Sequence, residues 1–110
     1  MAKRFEVKKS TDQQFFFTLF ADNNEKILAS EMYKSKPAAL NGVEAVKKNA
    51  ATDARYDRRT AKNGKPYFVL KAANGEIVGT SEQYNSTEGM ENGISAVKAA
   101  APTAPVQDEA

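Results

Sequence analysis

The residues best suited to chemistry in this chain are the hydroxyl, carboxylate and phenol groups of one short motif, Ser-Glu-x-Tyr-x-Ser. The motif occurs twice, at residues 30–35 and 81–86. Its glutamates, Glu31 and Glu82, could bind a cation or a basic group of a partner, or act with a tyrosine in acid–base catalysis. Turn and cap chemistry explains the same residue types, because serines cap helices and a tyrosine can pack at a sheet edge. Since both copies keep the whole set, we predict that its members are structural: Ser30, Glu31, Tyr33, Ser35, Ser81, Glu82, Tyr84 and Ser86.

The composition narrows the chemistry further. The 110 residues include no cysteine and no histidine, which excludes Ser-His-Asp and Cys-His nucleophiles, disulfides and Cys/His zinc sites. The chain also lacks glycine-rich phosphate-binding loops and the spacing of calcium loops. We therefore expect no catalytic residue, no metal and no cofactor, and a protein that is not an enzyme. An enzyme that uses carboxylate and tyrosine groups is kept as an alternative.

A second candidate is the basic strip, residues 55–71, which contains six basic side chains and one acid, Asp57. Together with aromatic residues on an open sheet face, the strip could bind a protein partner or single-stranded nucleic acid. The candidate residues are Arg55, Arg58, Arg59, Lys62, Lys65, Lys71, Phe16, Phe20 and Tyr67. The other interpretation is a solvated hairpin whose edge charges prevent aggregation. The net charge of only +2 and the pI of about 8.8 favour it over nucleic-acid binding.

An internal duplication of the sequence predicts how the elements that carry these residues are organised. When the sequence is shifted by 51 residues, residues 4–50 align with residues 55–101 without a gap, and sixteen of the 47 positions are identical. We therefore predict a single domain, residues 1–110, made of two repeats (4–50 and 55–101) and a tail (102–110). The tail contains two prolines, and it either forms a short strand or is disordered.

Each repeat is predicted to begin with three strands. In the second strand of the first repeat, Phe17 and Leu19 alternate with Phe16 and Phe20, which predicts that the first pair faces the core and the second pair the opposite side. The Asn-Gly pair at residues 63–64 predicts a two-residue hairpin turn of type I′. The third strands are expected at about residues 25–33 and 75–84.

A helix is expected after the three strands of each repeat. The last serine of each motif suits an N-cap, and apolar residues follow at i, i+4, i+7 and i+11 from Ala39 and from Met90. Each helix contains a glycine, Gly42 or Gly93, which costs about 1 kcal/mol relative to alanine. Its presence in both copies predicts a close approach of the helix backbone to the sheet or to the other helix.

Three recurring segments resemble the YegP-like family of small bacterial proteins in its duplicated form. They are the Ser-Glu-x-Tyr-x-Ser motif, the turns at residues 22–25 and 73–76, and the helix segments Asn-Gly-Val/Ile-x-Ala-Val-Lys at residues 41–47 and 92–98. The resemblance covers about residues 4–102. It implies units of three strands, a helix and a further strand that form a single sheet with exchanged C-terminal strands, and dimers where a relative has one repeat. The last strand of the second unit would lie near Val106. The family has no established function, so the resemblance supplies no site.

We predict an α+β fold in which two tandem βββα repeats form one antiparallel sheet with both helices on one face, with a short C-terminal strand as one alternative for the tail. The predicted function is a non-enzymatic binding or interaction module that uses the open sheet face or a sheet edge. Weak binding of single-stranded nucleic acid through the basic strip is the alternative. We expect a cytoplasmic monomer or homodimer, because the sequence shows neither a signal peptide nor an apolar run long enough to cross a membrane. No partner is identified.

Overall fold

The computed structural model describes residues 2–110, which form seven strands, two α-helices and a short 3-10 helix. The first repeat contains β1 (Arg4–Lys9), β2 (Phe15–Phe20), β3 (Lys26–Ala29) and α1 (Lys36–Asn49). The 3-10 helix (Asp53–Arg55) leads into the second repeat, which contains β4 (Tyr56–Thr60), β5 (Pro66–Lys71), β6 (Ile77–Thr80) and α2 (Thr87–Ala100). The tail forms β7 (Val106–Asp108).

All seven strands belong to one sheet, in the order β4-β5-β6-β3-β2-β1-β7. Each repeat is an antiparallel meander, and the two meanders join where Ala29 of β3 pairs with Thr80 of β6. These two residues occupy the same position in the two repeats, so an approximate two-fold axis passes between them. Each helix bridges the repeats, since α1 packs on β2 and β6 and α2 packs on β5 and β3. The predicted α+β fold with two helices on one face is confirmed.

The tail adds a parallel strand. β7 runs alongside β1, and its three residues lie opposite Phe5, Glu6 and Val7. The sheet is therefore mixed, whereas the sequence analysis had predicted an antiparallel sheet. The cause is the connection, because a chain that returns through a helix can lie parallel to an earlier strand, whereas a tight hairpin cannot.

The four hairpin loops share one geometry that differs from the predicted type I′ turn. Each is a three-residue loop whose last residue is left-handed: Gln13, Asn24, Gly64 and Gly75 have φ angles of 67°, 68°, 84° and 87°. The N–H of each donates to the carbonyl three residues earlier, which defines a type I turn followed by a bulge. The type I′ prediction is wrong because it requires positive φ at Asn63 as well as at Gly64.

The core lies between the sheet and the helices. The fully buried side chains of the central strands and of the helices include Phe17, Leu19, Phe68, Leu70, Val43, Val46, Ile94 and Val97. Their removal from water drives the packing of the helices onto the sheet.

The core is not symmetric at the two-fold axis. Leu28, which is 1% exposed, fills the space beside Gly79, its equivalent in the second repeat. A Cβ atom on Gly79 would lie 2.6 Å from the Leu28 side chain. One large side chain therefore fills a space shared by both repeats, and close packing leaves no room for a second.

Candidate functional surfaces

The first serine of the repeated motif ends the third strand. The Ser30 hydroxyl accepts a hydrogen bond from the N–H of Phe17 at 2.9 Å and donates one to the carbonyl of Glu31 at 2.8 Å. Ser81 makes the same two contacts in the second repeat, at 3.0 and 2.7 Å. Because the hydroxyl takes the place of a backbone partner, β3 and β6 end at residues 29 and 80, several residues earlier than predicted.

The tyrosine of the motif packs between the sheet and the helix. Tyr33 stacks on Phe17 with the ring centroids 6.3 Å apart, and Tyr84 stacks in the same way on the equivalent phenylalanine. Each hydroxyl lies over the helix glycine: a Cβ on Gly42 would lie 2.5 Å from Tyr33 Oη, and Gly93 meets Tyr84 in the same way. The close approach expected at these glycines is therefore made by the tyrosine ring.

The last serine of the motif begins the helix. The Ser35 hydroxyl accepts a hydrogen bond from the N–H of Ala38 at 3.2 Å, and Ser86 accepts one from the N–H of Gly89 at 3.0 Å. Both serines are helix N-caps, which satisfy donors that the first helical turn leaves free.

The glutamates of the motif lie on the surface. Glu82 pairs with Lys26 of the other repeat, with Oε1 and Nζ 3.0 Å apart. Glu31 is exposed, and the position equivalent to Lys26 is Ile77, so the ion pair is not repeated. A shallow cavity of about 360 Å³ lies beside Glu82 and Tyr84. Burial, reinforced by the charge of Glu82, raises the pKa of the Tyr84 phenol above its ordinary value.

The basic strip does not form one surface. Lys62 and Lys65 are exposed in the loop between β4 and β5. Arg55 ends the 3-10 helix, where its Nε donates to Oδ1 of Asn49 at 3.2 Å. The other members, Arg58, Arg59 and Lys71, are divided between the two faces of the sheet.

On the helix-covered side, Arg58 joins a cluster of charges. Its guanidinium donates to both carboxylate oxygens of Glu91, at 2.6 and 3.0 Å, and to Asp53 at 3.1 Å. Lys98 contacts the same Asp53 oxygen at 2.9 Å. The hydrogen bond from Arg58 lowers the pKa of Glu91, and the hydrogen bonds from Lys98 and Arg58 lower that of Asp53. The cluster joins the 3-10 helix, β4 and α2.

On the open face, the remaining basic residues of the strip also have an acidic partner. Arg59 lies 2.9 Å from Asp57, and Lys71 lies 3.5 Å from the same carboxylate oxygen. The hydrogen bond from Arg59 lowers the pKa of Asp57. Tyr67 is opposite Arg59 on β5 and is half-buried.

The aromatic residues of the open face are partly covered by charged side chains. The Arg4 guanidinium lies 4.3 Å above the ring of Phe20 and 2.6 Å from Glu6. Phe16 lies opposite Lys8, and neither phenylalanine is among the large apolar side chains that are exposed. The open face therefore combines half-buried rings with paired charges.

The two outer strands of the repeats differ in their pairing. On β1, the N–H of Phe5 donates to the carbonyl of Pro105 and the N–H of Glu109 donates to the carbonyl of Val7, both at 2.8 Å. Since the backbone groups of alternate residues point to the same side of a strand, Phe5 and Val7 direct their N–H and C=O groups at β7.

In β4 the equivalent residues are Tyr56 and Arg58. Their backbone N–H and C=O groups point away from β5. β4 is the terminal strand of the order, with β5 as its sheet neighbour. The N–H of Tyr56 donates to the carbonyl of Asp53 in the 3-10 helix. The carbonyl of Tyr56 and both backbone groups of Arg58 therefore lie along an open edge.

The sequence analysis identified Arg58 as a candidate residue but did not identify Glu91, with which it pairs. Arg58 and Glu91 occupy the positions that Val7 and Leu40 hold in the first repeat, where Val7 is fully buried and Leu40 packs against the core. The signal was available, because both positions change from apolar to charged together between the repeats. It would have required knowing that the helix and the outer strand are in contact.

The fold and the roles of the repeated motif define a tandem-repeat α+β protein whose conspicuous polar residues support its own structure. A family model described as a domain of unknown function (DUF1508) matches residues 10–57 and 61–108. The chain belongs to this family. The first match ends within β4 and the second at the end of β7, the strands that follow the two helices.

Relatives and solved structures agree with this assignment. The chain is 49% identical over 109 residues to a UPF0339 protein of Pseudomonas aeruginosa, with 99% of each chain covered. The solution NMR structure of YegP from Escherichia coli, a protein of unknown function, is similar with a TM-score of 0.93 and 47% identity, covering 99% of this chain and 94% of that one. The solution NMR structure of UPF0339 protein SO3888 from Shewanella oneidensis has a TM-score of 0.91 and 47% identity, covering 98% and 92%. Within residues 2–110, neither helix is long and apolar enough to cross a membrane.

Proposed function

We propose that this protein is a non-enzymatic binding module that acts through the open edge of β4. The observation that carries the proposal is the unequal pairing of equivalent strands. β7 pairs with β1, whereas β4 has β5 as its one sheet neighbour within residues 2–110, and on its other edge the 3-10 helix contacts the N–H of Tyr56. An open edge presents backbone donors and acceptors in an extended array, to which another chain can add as a strand.

The contacts of the repeated motif support binding over catalysis. Its serine hydroxyls end strands and cap helices, and its tyrosines cover the helix glycines. Glu82 forms an ion pair across the two repeats. The serine and tyrosine roles recur in both repeats, so the recurrence of these residues requires no reaction.

The ion pairs of the basic strip favour a protein partner over nucleic acid. Arg58, Arg59 and Lys71 all contact carboxylates, so a polyanion would compete with partners that are already in place. The sequence prediction of a cytoplasmic protein is retained with this proposal.

The proposal can be tested by site-specific photocrosslinking in bacterial cells. A photoreactive phenylalanine analogue replaces Thr60, which lies at the end of β4. The matched control carries the analogue at Lys9, the same position in the first repeat, on the strand that pairs with β7 at residues 5–7. A second control carries it at Ser95, an exposed position on α2.

We expect discrete crosslinked products from position 60 and none of the same size from positions 9 and 95. Introducing Arg58→Pro into the position-60 protein should abolish them, because proline removes the outward N–H. Equal crosslinking from all three positions, or none from position 60, would contradict the proposal.

A further inference from the structure

We infer that the second repeat carries two modification sites, Asn63 and Asn74, at which the asparagine converts spontaneously to aspartate and isoaspartate. Each is the middle residue of a three-residue hairpin loop, and each is followed by a left-handed glycine, Gly64 or Gly75. The reaction needs neither an enzyme nor a cofactor, so it is independent of the binding proposed for β4. The fold determines which asparagines of the chain react.

The reaction begins when the backbone nitrogen of the glycine attacks the side-chain carbonyl carbon, Cγ, of the asparagine. The nitrogen gives its proton to solvent, and the side-chain amino group leaves as ammonia, which closes a succinimide ring. One water molecule then opens the ring: its attack on Cγ gives aspartate, and its attack on the backbone carbonyl carbon gives isoaspartate. Glycine favours the attack because it has no side chain to crowd its nitrogen or to restrict its rotation.

The two loops hold the reacting groups together. Oδ1 of Asn74 accepts a hydrogen bond from the N–H of Glu76, and Oδ1 of Asn63 accepts one from the N–H of Lys65, both at 3.0 Å. Each contact folds the carboxamide back over the glycine peptide. Because negative charge develops on Oδ1 as the nitrogen attacks, the same N–H stabilises the reaction.

The first repeat supplies a matched comparison in the same type of loop. Oδ1 of Asn23 accepts a hydrogen bond from the N–H of Glu25 at 3.1 Å, and the N–H of Asn24 donates to the carbonyl of Ala21 at 2.9 Å. The equivalent N–H of Gly75 makes a turn bond of the same length. This bond must open before the nitrogen can attack, and the requirement is common to both loops. They differ in the attacking residue, which carries a side chain in the first repeat and none in the second.

The other two Asn-Gly pairs lie in helices. Asn41 precedes Gly42 in α1, and Asn92 precedes Gly93 in α2. Both glycines are buried beneath a tyrosine hydroxyl, and inside a helix their N–H groups donate to the carbonyls four residues earlier. The attack would break the helix at this contact. It should therefore require local unfolding of the helix, which costs more free energy than opening a surface loop.

Asn63 has a further restraint that should make it react more slowly than Asn74. Its Nδ2 donates to Oε1 of Gln83 at 2.9 Å, which ties the leaving group to the segment after β6. Asn74 makes no equivalent bond within residues 2–110.

The first repeat also shows that the aspartate product fits the loop. Asp12 holds the position of Asn63, and its Oδ1 accepts a hydrogen bond from the N–H of Gln14 at 3.3 Å. Conversion of Asn63 to aspartate thus preserves the loop contact and adds one negative charge. Isoaspartate lengthens the loop backbone by one carbon atom, so this product changes the loop itself.

The test incubates the full-length protein in mildly alkaline buffer made with H₂¹⁸O, followed by digestion in ordinary water. Ring opening during incubation incorporates ¹⁸O, which separates it from any reaction during digestion, and peptide mapping by mass spectrometry gives a rate for each asparagine. We expect Asn74 to react at least about threefold faster than Asn23. It should also react at least about tenfold faster than Asn41 and Asn92.

Two variants exchange residues between the repeats. Gly75→Asn gives the second loop the residue of the first, and a Cβ at this position meets no atom within 4 Å. It should lower the rate at Asn74 at least about threefold and leave the rate at Asn63 unchanged. Gln83→Met introduces the first repeat's equivalent, Met32, and should raise the rate at Asn63 towards that of Asn74. No rise would contradict the restraint by Gln83.

Unfolding in urea separates the effect of the fold from that of the sequence. In the unfolded chain the four Asn-Gly pairs should react at similar rates, all faster than Asn23. The inference would be overturned if the four pairs reacted equally in the folded protein, or if Gly75→Asn left the rate at Asn74 unchanged. The absence of reaction at Asn63 and Asn74 in the folded protein, under conditions in which the unfolded chain reacts, would also overturn it.

Discussion

Strands β1 and β4 occupy the same position in two similar repeats, yet one edge is covered and the other is open. At the covered edge, Val7 is fully buried. At the open edge, the same position is Arg58, which pairs with Glu91 of the overlying helix. At this position an apolar side chain accompanies the edge that β7 covers, and a charged pair accompanies the open edge, where the side chain remains in contact with water.

The largest change in stability is expected when the residue types at positions 7 and 58 are exchanged. Val7→Arg places a guanidinium in a fully buried site of the apolar core, so we expect a loss of more than about 3 kcal/mol in the free energy of unfolding. The matched control, Arg58→Val, removes an exposed ion pair and should change it by less than about 1 kcal/mol. Urea denaturation measures both variants. Equal effects would show that the edges do not differ in this way.

The helix glycines should be equally intolerant in both repeats. Gly42→Ala and Gly93→Ala would each force the overlying tyrosine away, at a cost of about 1–3 kcal/mol. The control is Gly89→Ala in α2, where the nearest atom to the added Cβ is 3.4 Å away, so helix propensity should stabilise the protein by up to about 1 kcal/mol. Thermal unfolding followed by circular dichroism distinguishes the signs. Stabilisation by all three would contradict the role of the tyrosines.

A third prediction concerns Tyr56→Phe, which gives β4 the residue that β1 has at the same position. Tyr56 replaces Phe5 of the first repeat, and its buried hydroxyl donates to the carbonyl of Ala50 at 2.7 Å. Tyr56→Phe should lower the free energy of unfolding by about 1 kcal/mol at neutral pH.

The wild type and Tyr56→Phe should also differ in how their stability depends on pH, because burial raises the pKa of Tyr56 above its ordinary value of 10.0. A phenol whose pKa is raised on folding contributes stability that is present below the unfolded pKa and is lost as the pH rises above it. The wild type should therefore lose stability above about pH 10 more steeply than Tyr56→Phe. Parallel curves from chemical denaturation between pH 8 and pH 11 would contradict this.

The smallest change in stability is expected for substitutions in the hairpin loops. Gln13 is left-handed where the second repeat has Gly64, and glycine adopts this conformation without the steric cost of a side chain. Gln13→Gly should stabilise the protein by about 0.5–1 kcal/mol. Asn24→Gly should not stabilise it, because it also removes the oxygen that accepts a hydrogen bond from Arg4 at 2.7 Å. Denaturation midpoints measure the difference. A loss of stability in Gln13→Gly would show that its side chain has another role.

The sequence predicted the elements because both repeats carry the same local patterns. The alternation around Phe17 and Leu19 identified a buried strand, and the final serine of each motif identified a helix start. Other features depend on contacts between distant segments, which a local pattern does not reveal. The parallel direction of β7, the open edge of β4 and the pairing of Arg58 with Glu91 belong to this class.

The turn type was missed for a different reason. An Asn-Gly pair satisfies both a two-residue type I′ turn and a three-residue loop whose last residue is glycine. The first repeat could have decided between them, because Asp12 and Gln13 at the same positions suit a loop with a single left-handed residue better than a turn with two.

Fusion of the two units into one chain has a consequence at the two-fold axis. In a dimer of identical subunits, every residue beside the axis faces its own copy, so any side chain chosen there must fit twice. Here the joined repeats hold Leu28 on one side and Gly79 on the other, a pairing that identical subunits cannot encode. A chain with leucine at both positions would be too crowded and one with glycine at both would leave a void. Covalent linkage thus releases the centre of the molecule from the requirement of sequence identity, which is the same freedom that allows its two edges to diverge.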